Sequence, residues 1–471
     1  MPAGVEAQRL GNAIKRIFQR IILEKHCEVA FLRHLSSMII DFSVKNFRSF
    51  KGEQRLSFVA SNYDKSLLEN VIEPALPGLE EVKLLKGLVI YGANASGKTN
   101  ALLALQFLSH LVENSATGLD LGDPTGVQPF ILDPETPEQP TEFVLRFVAE
   151  GVRYHFALVL NRTRVLFESL SAFPKGREQV WYEREWDDDS KAYEWRPDRP
   201  TDFKRDPKIV DYTRDNALFL STAVKWNNKE LEPSYLWFKK RLKFLRLNAD
   251  FPPLSPSFTV QFMNRSPNTR ALVTKLLQHA DFGILSAKAS EREIKREELP
   301  ADMPQELVEH ILKGKNLEIH LGHRGTGGKE FQIAWEEQSS GTQKFFSLSG
   351  PWLDILANGY IAELDEIESS MHPSMVTALL RLVFSKKHNP NGAQLLFTTH
   401  NPLLLDPTLI RRDQVWFADK DDEGSTHLYP LTDYKPRKGE SLARGYLSGR
   451  YGAVPFIPSG LLGKETVIHG E

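Results

Sequence analysis

Residues 92–99 read Gly-Ala-Asn-Ala-Ser-Gly-Lys-Thr, a fit to G-x-x-x-x-G-K-[ST]. The stretch stands between an apolar run, Leu88–Tyr91, and an apolar-rich segment of helical pattern, Ala101–Leu108. Strand, glycine-rich loop and helix in that order are the setting in which this pattern binds phosphate. Gly92 and Gly97 free the backbone of Asn94, Ala95 and Ser96 to turn N–H groups inward around phosphate oxygens. The helix start, through Asn100, adds a partial positive charge. Lys98 reaches the β- and γ-phosphates and Thr99 holds Mg²⁺. A nucleotide-binding α/β domain is therefore the frame for the rest of the chain.

With 471 residues there is room for two or three domains. A net charge of −2 supplies no global field for nucleic acid, so such contact requires a local patch. One patch exists: Lys239, Lys240, Arg241, Lys243 and Arg246 interleave with Trp237, Phe238 and Phe244. It reads either as a contact for nucleic acid or an acidic partner, or as a solvated helix face over packed aromatics. The single cysteine, Cys27, excludes an intramolecular disulfide and suits a reducing cytoplasm. No apolar run approaches the roughly 18 residues of a membrane span. Residues 1–37 include a basic amphipathic pattern, Val5–Ile22, with Arg9, Lys15, Arg16 and Arg20. They form either a helical appendage or a leader ahead of a domain that starts at Met38.

Alternation predicts strands at Ile39–Val44 and Gln54–Val59, and a hairpin of Phe143–Val148 with Tyr154–Leu160 turning at Gly151. Residues 115–140 read as loop, and Leu166–Trp195 as strand pieces broken at Asp187–Asp189. Residues 201–320 read as mainly helical, interrupted by Pro252, Pro253 and Pro256, and an α/β pattern returns from Ile361.

Three later segments add chemistry. Tyr360-Ile-Ala-Glu-Leu-Asp-Glu366 reads as a strand ending in two carboxylates. Asp365 suits the Mg²⁺ shell and Glu366 the attacking water, provided the chain turns there, because neighbouring strand side chains point to opposite faces. Glu363, on the face of Asp365, is either salt-bridged at a strand end or a second metal carboxylate. Ser339-Ser340-Gly341-Thr342-Gln343 precedes a candidate helix and reads as a simple N-cap or as a second anion site. Gln394–His400 reads as a strand whose terminal histidine faces the ligand crevice of an α/β sheet, within reach of a γ-phosphate or water.

The order of phosphate loop, Ser-Ser-Gly-Thr-Gln, Asp-Glu and His resembles an ABC-type ATPase of the SMC/RecF/OLD-like kind. Residues 369–373, Ser-Ser-Met-His-Pro, look like its D-loop, and Val44–Phe50 looks like its N-terminal strand motif, with Arg48 near the nucleotide. The resemblance spans residues 38–460. It implies a P-loop NTPase fold of ABC type with an N-terminal ATPase lobe and β-subdomain (38–200), a helical insertion (201–325) and a C-terminal lobe (326–471). It also implies ATP and Mg²⁺ as cofactors and a head-to-tail homodimer in which Ser339, Ser340, Gly341 and Gln343 of one copy cap ATP held by the other. The signature departs from Leu-Ser-Gly-Gly-Gln, and Gln128 is the one Q-loop candidate. Arg411–Phe417 and Gly445–Pro455 are similar to the RloA/AriA-like ATPases of bacterial phage defence. Such proteins act with a separate effector, often a Toprim-type nuclease, and answer to a phage trigger. An SMC/RecF-like ATPase of DNA maintenance is the alternative.

Overall fold

The computed structural model describes residues 37–454 except 75, 197–202, 248–253, 281–282, 293–295, 297–302, 304, 306–315, 370 and 438. The expected basic helix, Cys27 and the segment beyond Val454 lie outside the described residues. β1 (Met38–Lys45) and β2 (Gln54–Ser57) pair antiparallel. A short ribbon, β3 (Val71–Ile72) with β4 (Leu84–Leu85), leads to β5 (Gly87–Tyr91), the phosphate loop and α1 (Lys98–Gly118). Five strands follow: β6 (Thr141–Ala149), β7 (Val152–Leu160), β8 (Val165–Phe173), β9 (Gln179–Asp187) and β10 (Ala192–Arg196). They complete a seven-stranded antiparallel sheet of order β10-β9-β8-β7-β6-β1-β2. The β6–β7 turn holds Glu150 at φ 48° and Gly151 at φ 79°. Two positive φ values make the two-residue turn whose twist matches the strands it joins.

Short helices come next: α2 (Pro207–Tyr212), α3 (Phe219–Lys225), α4 (Glu232–Leu236) and a π-helical turn, Trp237–Arg241, that runs into β11 (Leu242–Leu245). Then α5 (Pro256–Asn264) and α6 (Pro267–His279) start on Ser255 and Ser266 caps with proline in the first turn. Helices dominate the described residues of 207–279, whereas strands follow where the reading of 201–320 expected helix. β12 (Ile284–Arg292), β13 (Asn316–Arg324) and β14 (Glu330–Ala334) form a three-stranded antiparallel sheet. Charged residues obscured their alternation: His320, His323 and Glu330 sit in ladders with one face on the core, where Ile284, Ala287, Ile319 and Leu321 are the buried apolar side chains among the described residues.

The chain then returns to the nucleotide sheet through α7 (Ser340–Asn358), β15 (Ile361–Leu364), α8 (Pro373–Phe384), β16 (Gln394–Thr399), β17 (Val415–Lys420) and β18 (Thr426–Pro430), ending with α9 (Leu442–Leu447). The six-stranded order is β11-β15-β16-β5-β17-β18, parallel throughout except for β18 at the edge. Leu88 and Ile90 enter a core shared with α1 and the antiparallel sheet, whereas Val89 and Tyr91 enter a second core under α7, α8 and the helical region. Burial on both faces explains why β5 reads as unbroken apolar sequence.

Candidate functional site

β5 ends at Tyr91 and its loop folds over the C-terminal edge of the parallel sheet. A Cβ at Gly92 would stand 2.5 Å from Ala418 O on β17, and one at Gly97, where φ is 100°, would overlap the Thr426 hydroxyl. Ala95 is left-handed at φ 60°. Lys98 opens α1 and is only 6% exposed, its Nζ donating to Gly92 O at 2.9 Å and Ala93 O at 2.8 Å. Burial holds its ammonium below the ordinary lysine range, while Glu366, Asp365 and Glu368 pull it back up. Asn94 and Ala95 are exposed at the loop tip and Ser96 is buried.

Arg48, at φ 51°, stands beside the first turn of α1: its guanidinium reaches Asn100 Oδ1 at 3.5 Å and its N–H donates to Gln128 O at 2.8 Å. Asn100 Nδ2 donates to Ser49 Oγ at 2.8 Å. The Thr426 hydroxyl lies 2.9 Å from both Ser49 Oγ and Ser96 O. Ser49 and Thr426 therefore pin the loop between the N-terminal motif and the sheet edge, a role sequence reading missed because Thr426 belongs to no motif and Ser49 lies in one read only for Arg48.

The paired carboxylates come from β15, separated from β5 by β16. Thr99 Oγ1 donates to Asp365 Oδ2 at 2.9 Å and Thr398 Oγ1 donates to Asp365 Oδ1 at 2.5 Å. The Glu366 N–H donates to Thr398 Oγ1 at 2.8 Å. β15 stops at Leu364 and Glu366 is left-handed at φ 46°, so the chain makes the turn that a working Glu366 requires. His400 directly follows β16 and is half-exposed. Its Nδ1 lies 3.2 Å from Glu368 Oε1, and its backbone N–H donates to the same oxygen at 2.8 Å. Glu368 and Thr398 escaped the sequence reading. Their only signal was proximity, two residues after Glu366 and two before His400.

Ser339 caps α7: its Oγ accepts from Thr342 N at 3.1 Å, and Gln343 Nε2 donates to Trp335 O at 2.8 Å. Ser339 and Ser340 are exposed and Gly341 is half-buried. The fold gathers Lys98, Thr99, Asp365, Glu366 and His400 into one group, while Ser339 and Gln343 bond locally at the start of α7, whose Lys344 reaches Ser369 Oγ at 3.2 Å. Glu363 sits at neither expected place. It is 1% exposed and accepts from Gln106 Nε2 at 3.2 Å, and Arg246 bonds the other end of that amide. Burial drives its carboxyl far up, opposed by the Gln106 hydrogen bond and by Arg246. In the basic patch, Trp237 and Phe238 are buried, Arg241 bonds Asn358 O, and only Lys239 and Lys240 are exposed.

Thr99 and Asp365 offer two adjacent oxygens, the donor type Mg²⁺ takes beside phosphate. Among the described residues no cluster of three His, Cys, Asp or Glu forms an all-protein cage, and no helix is long and apolar enough to cross a membrane. A phosphate loop on a central parallel strand, with Asp-Glu at the end of a strand two places away, defines a P-loop nucleotide-binding domain. The chain belongs to the family described as "AAA domain, putative AbiEii toxin, Type IV TA system", whose model matches residues 88–406. Comparison with curated proteins gave no match. Among solved structures, the chain is similar to an SMC head domain from Thermotoga maritima, at 12% identity and TM-score 0.38 over 83% of this chain and 98% of that one. It is also similar to an Smc head domain with an extended coiled coil, bound to the C-terminal domain of ScpA, from Pyrococcus furiosus, at 13% identity and TM-score 0.37 over 85% and 98%.

Proposed function

We propose that the chain binds and hydrolyses ATP and uses it as a switch, closing as a head-to-tail dimer that controls a separate effector in a bacterial anti-phage defence system. The observation that carries the ATPase reading is the Thr99–Asp365–Thr398–Glu366 chain of hydrogen bonds, which joins the phosphate-loop helix to the ends of two parallel strands. Lys98 meets the β- and γ-phosphates, with the N–H groups of 94–99 around them, and Arg48 and Asn100 stand at the nucleotide's flank. Glu366 orients the attacking water and takes its proton, and His400 holds the γ-phosphate or that water. Thr99 and Asp365 would hold Mg²⁺, which when bound neutralises charge developing on the transferred phosphoryl group.

Ser339, Ser340, Gly341 and Gln343 of a second copy would cap the γ-phosphate. Each contact with a helix N-terminus is worth roughly 0.3–1 kcal/mol. Hydrolysis removes the γ-phosphate and with it the bias toward closure. The defence assignment rests on the Gly445–Pro455 tail motif and on a family description that names a Type IV TA system. A Toprim-type nuclease is the effector expected by resemblance, with the ATPase answering to a phage trigger. Burial of Trp237 and Phe238 removes two of the aromatic rings that direct stacking on bases would need, which weighs against the DNA-maintenance alternative.

The experiment is nucleotide binding and turnover with two variants. Lys98→Ala is expected to lose ATP binding; retained tight binding would contradict the phosphate-loop role. Glu366→Gln is expected to bind ATP normally and turn it over roughly a hundredfold or more slowly; an unchanged rate would exclude Glu366.

A further inference from the structure

We infer that Glu368 is the positioning residue for His400: one carboxylate oxygen binds the main chain of the histidine, stands beside its ring and fixes which ring nitrogen faces the nucleotide. Glu368 Oε1 accepts the His400 backbone N–H at 2.8 Å and faces His400 Nδ1 at 3.2 Å. That main-chain hydrogen bond, with the same carboxylate oxygen standing beside the ring, restricts how the imidazole can turn. A carboxylate oxygen beside Nδ1 favours the tautomer with hydrogen on Nδ1 and leaves the Nε2 lone pair outward. The Glu368 side chain is only 10% exposed while that of His400 is 54% exposed, so the anchor is sheltered and the ring is presented.

The anchor is itself fixed. Ile367 N donates to Thr398 O at 3.2 Å, Glu366 N to Thr398 Oγ1 at 2.8 Å, and Met371 N to Glu368 O at 2.8 Å. Glu368 therefore rides on a turn tied to the end of β16, the strand that carries His400. Its Oε2 is buried without a hydrogen-bond partner.

The kinetic arm of the test rests on the ATPase reading; the spectroscopic arm does not. In selectively ¹⁵N-histidine-labelled protein, long-range ¹H–¹⁵N correlation is expected to show His400 with hydrogen on Nδ1, the signal being assigned by its loss in His400→Gln. Glu368→Ala is expected to shift that signal toward the tautomer mixture of free imidazole. A His400 signal unchanged by Glu368→Ala would overturn the inference whether or not the protein turns over ATP. In turnover, Glu368→Ala is expected to lower kcat roughly tenfold or more with KM little changed, and Glu368→Gln, which keeps an acceptor oxygen, to recover much of the loss. Glu368→Ala combined with His400→Ala is expected to be no slower than His400→Ala alone. Additive losses would show that Glu368 acts apart from His400. A wild type that binds ATP without turnover would refute the ATPase reading and leave the tautomer result to judge the clamp.

Discussion

Two buried side chains show how differently this fold treats charge. Lys98 pays for burial in the phosphate loop with a lowered pKa, partly offset by three carboxylates. Lys86, immediately before β5, has no such cluster: it is 2% exposed, donates to Phe384 O at 3.2 Å, and burial lowers its pKa from 10.5 to about 8. Below pH 8 both folded and unfolded chains are protonated and the burial penalty is complete. Between about 8 and 10.5 the folded chain sheds the proton while the unfolded chain keeps it, so stability rises with pH. The shift corresponds to about 3 kcal/mol at most, from which the lost bond to Phe384 O subtracts about 1. Lys86→Met is therefore expected to raise stability by about 2 kcal/mol at pH 7, a gain that fades as pH approaches 10.5. Urea denaturation across that range checks it, and an equal loss at every pH would contradict it.

At the scale of elements, one buried ion pair organises the β-rich lobe. Glu168 on β8 and Arg184 on β9 are both fully buried, with Arg184 Nε donating to Glu168 Oε2 at 3.0 Å. Glu168 also accepts from Phe219 N at 2.7 Å and Leu220 N at 3.0 Å, so it caps α3 from across the sheet. Glu168→Ala strands the guanidinium and uncaps the helix, and is expected to cost about 3–5 kcal/mol. A loss under 1 kcal/mol in denaturant titration would contradict this role. Such long-range pairing was invisible in sequence, as was the β12–β14 sheet, whose charged residues hid its alternation. The nucleotide core was legible because its physics is local: β5 and β16 are apolar runs, and the phosphate loop needs consecutive residues. Glu366 was legible only conditionally, since its use depended on a turn that the φ of 46° supplies. Glu368, Ser49 and Thr426 act through partners distant in the chain, so no spacing announced them.

Across the whole molecule, the phosphate loop, Asp365, Glu366 and His400 share one edge of the parallel sheet, whereas Ser339–Gln343 start α7 with hydrogen bonds of their own. On the proposed reading one chain offers two half-sites, which a second copy in head-to-tail order would complete. The measurement that tests this most directly is complementation in trans. Lys98→Ala spoils the phosphate loop and Ser340→Arg is expected to spoil the signature; each alone is expected to be inactive and, as the Ser340 variant, unable to dimerise with itself in ATP. Mixed, the two form heterodimers with one intact composite site, assembled from the loop of one copy and the signature of the other. The account predicts that mixing restores ATP turnover, with a matching ATP-dependent rise in mass by sedimentation velocity. A mixture as inactive as its components, or a Ser340→Arg chain that turns over ATP normally on its own, would contradict it.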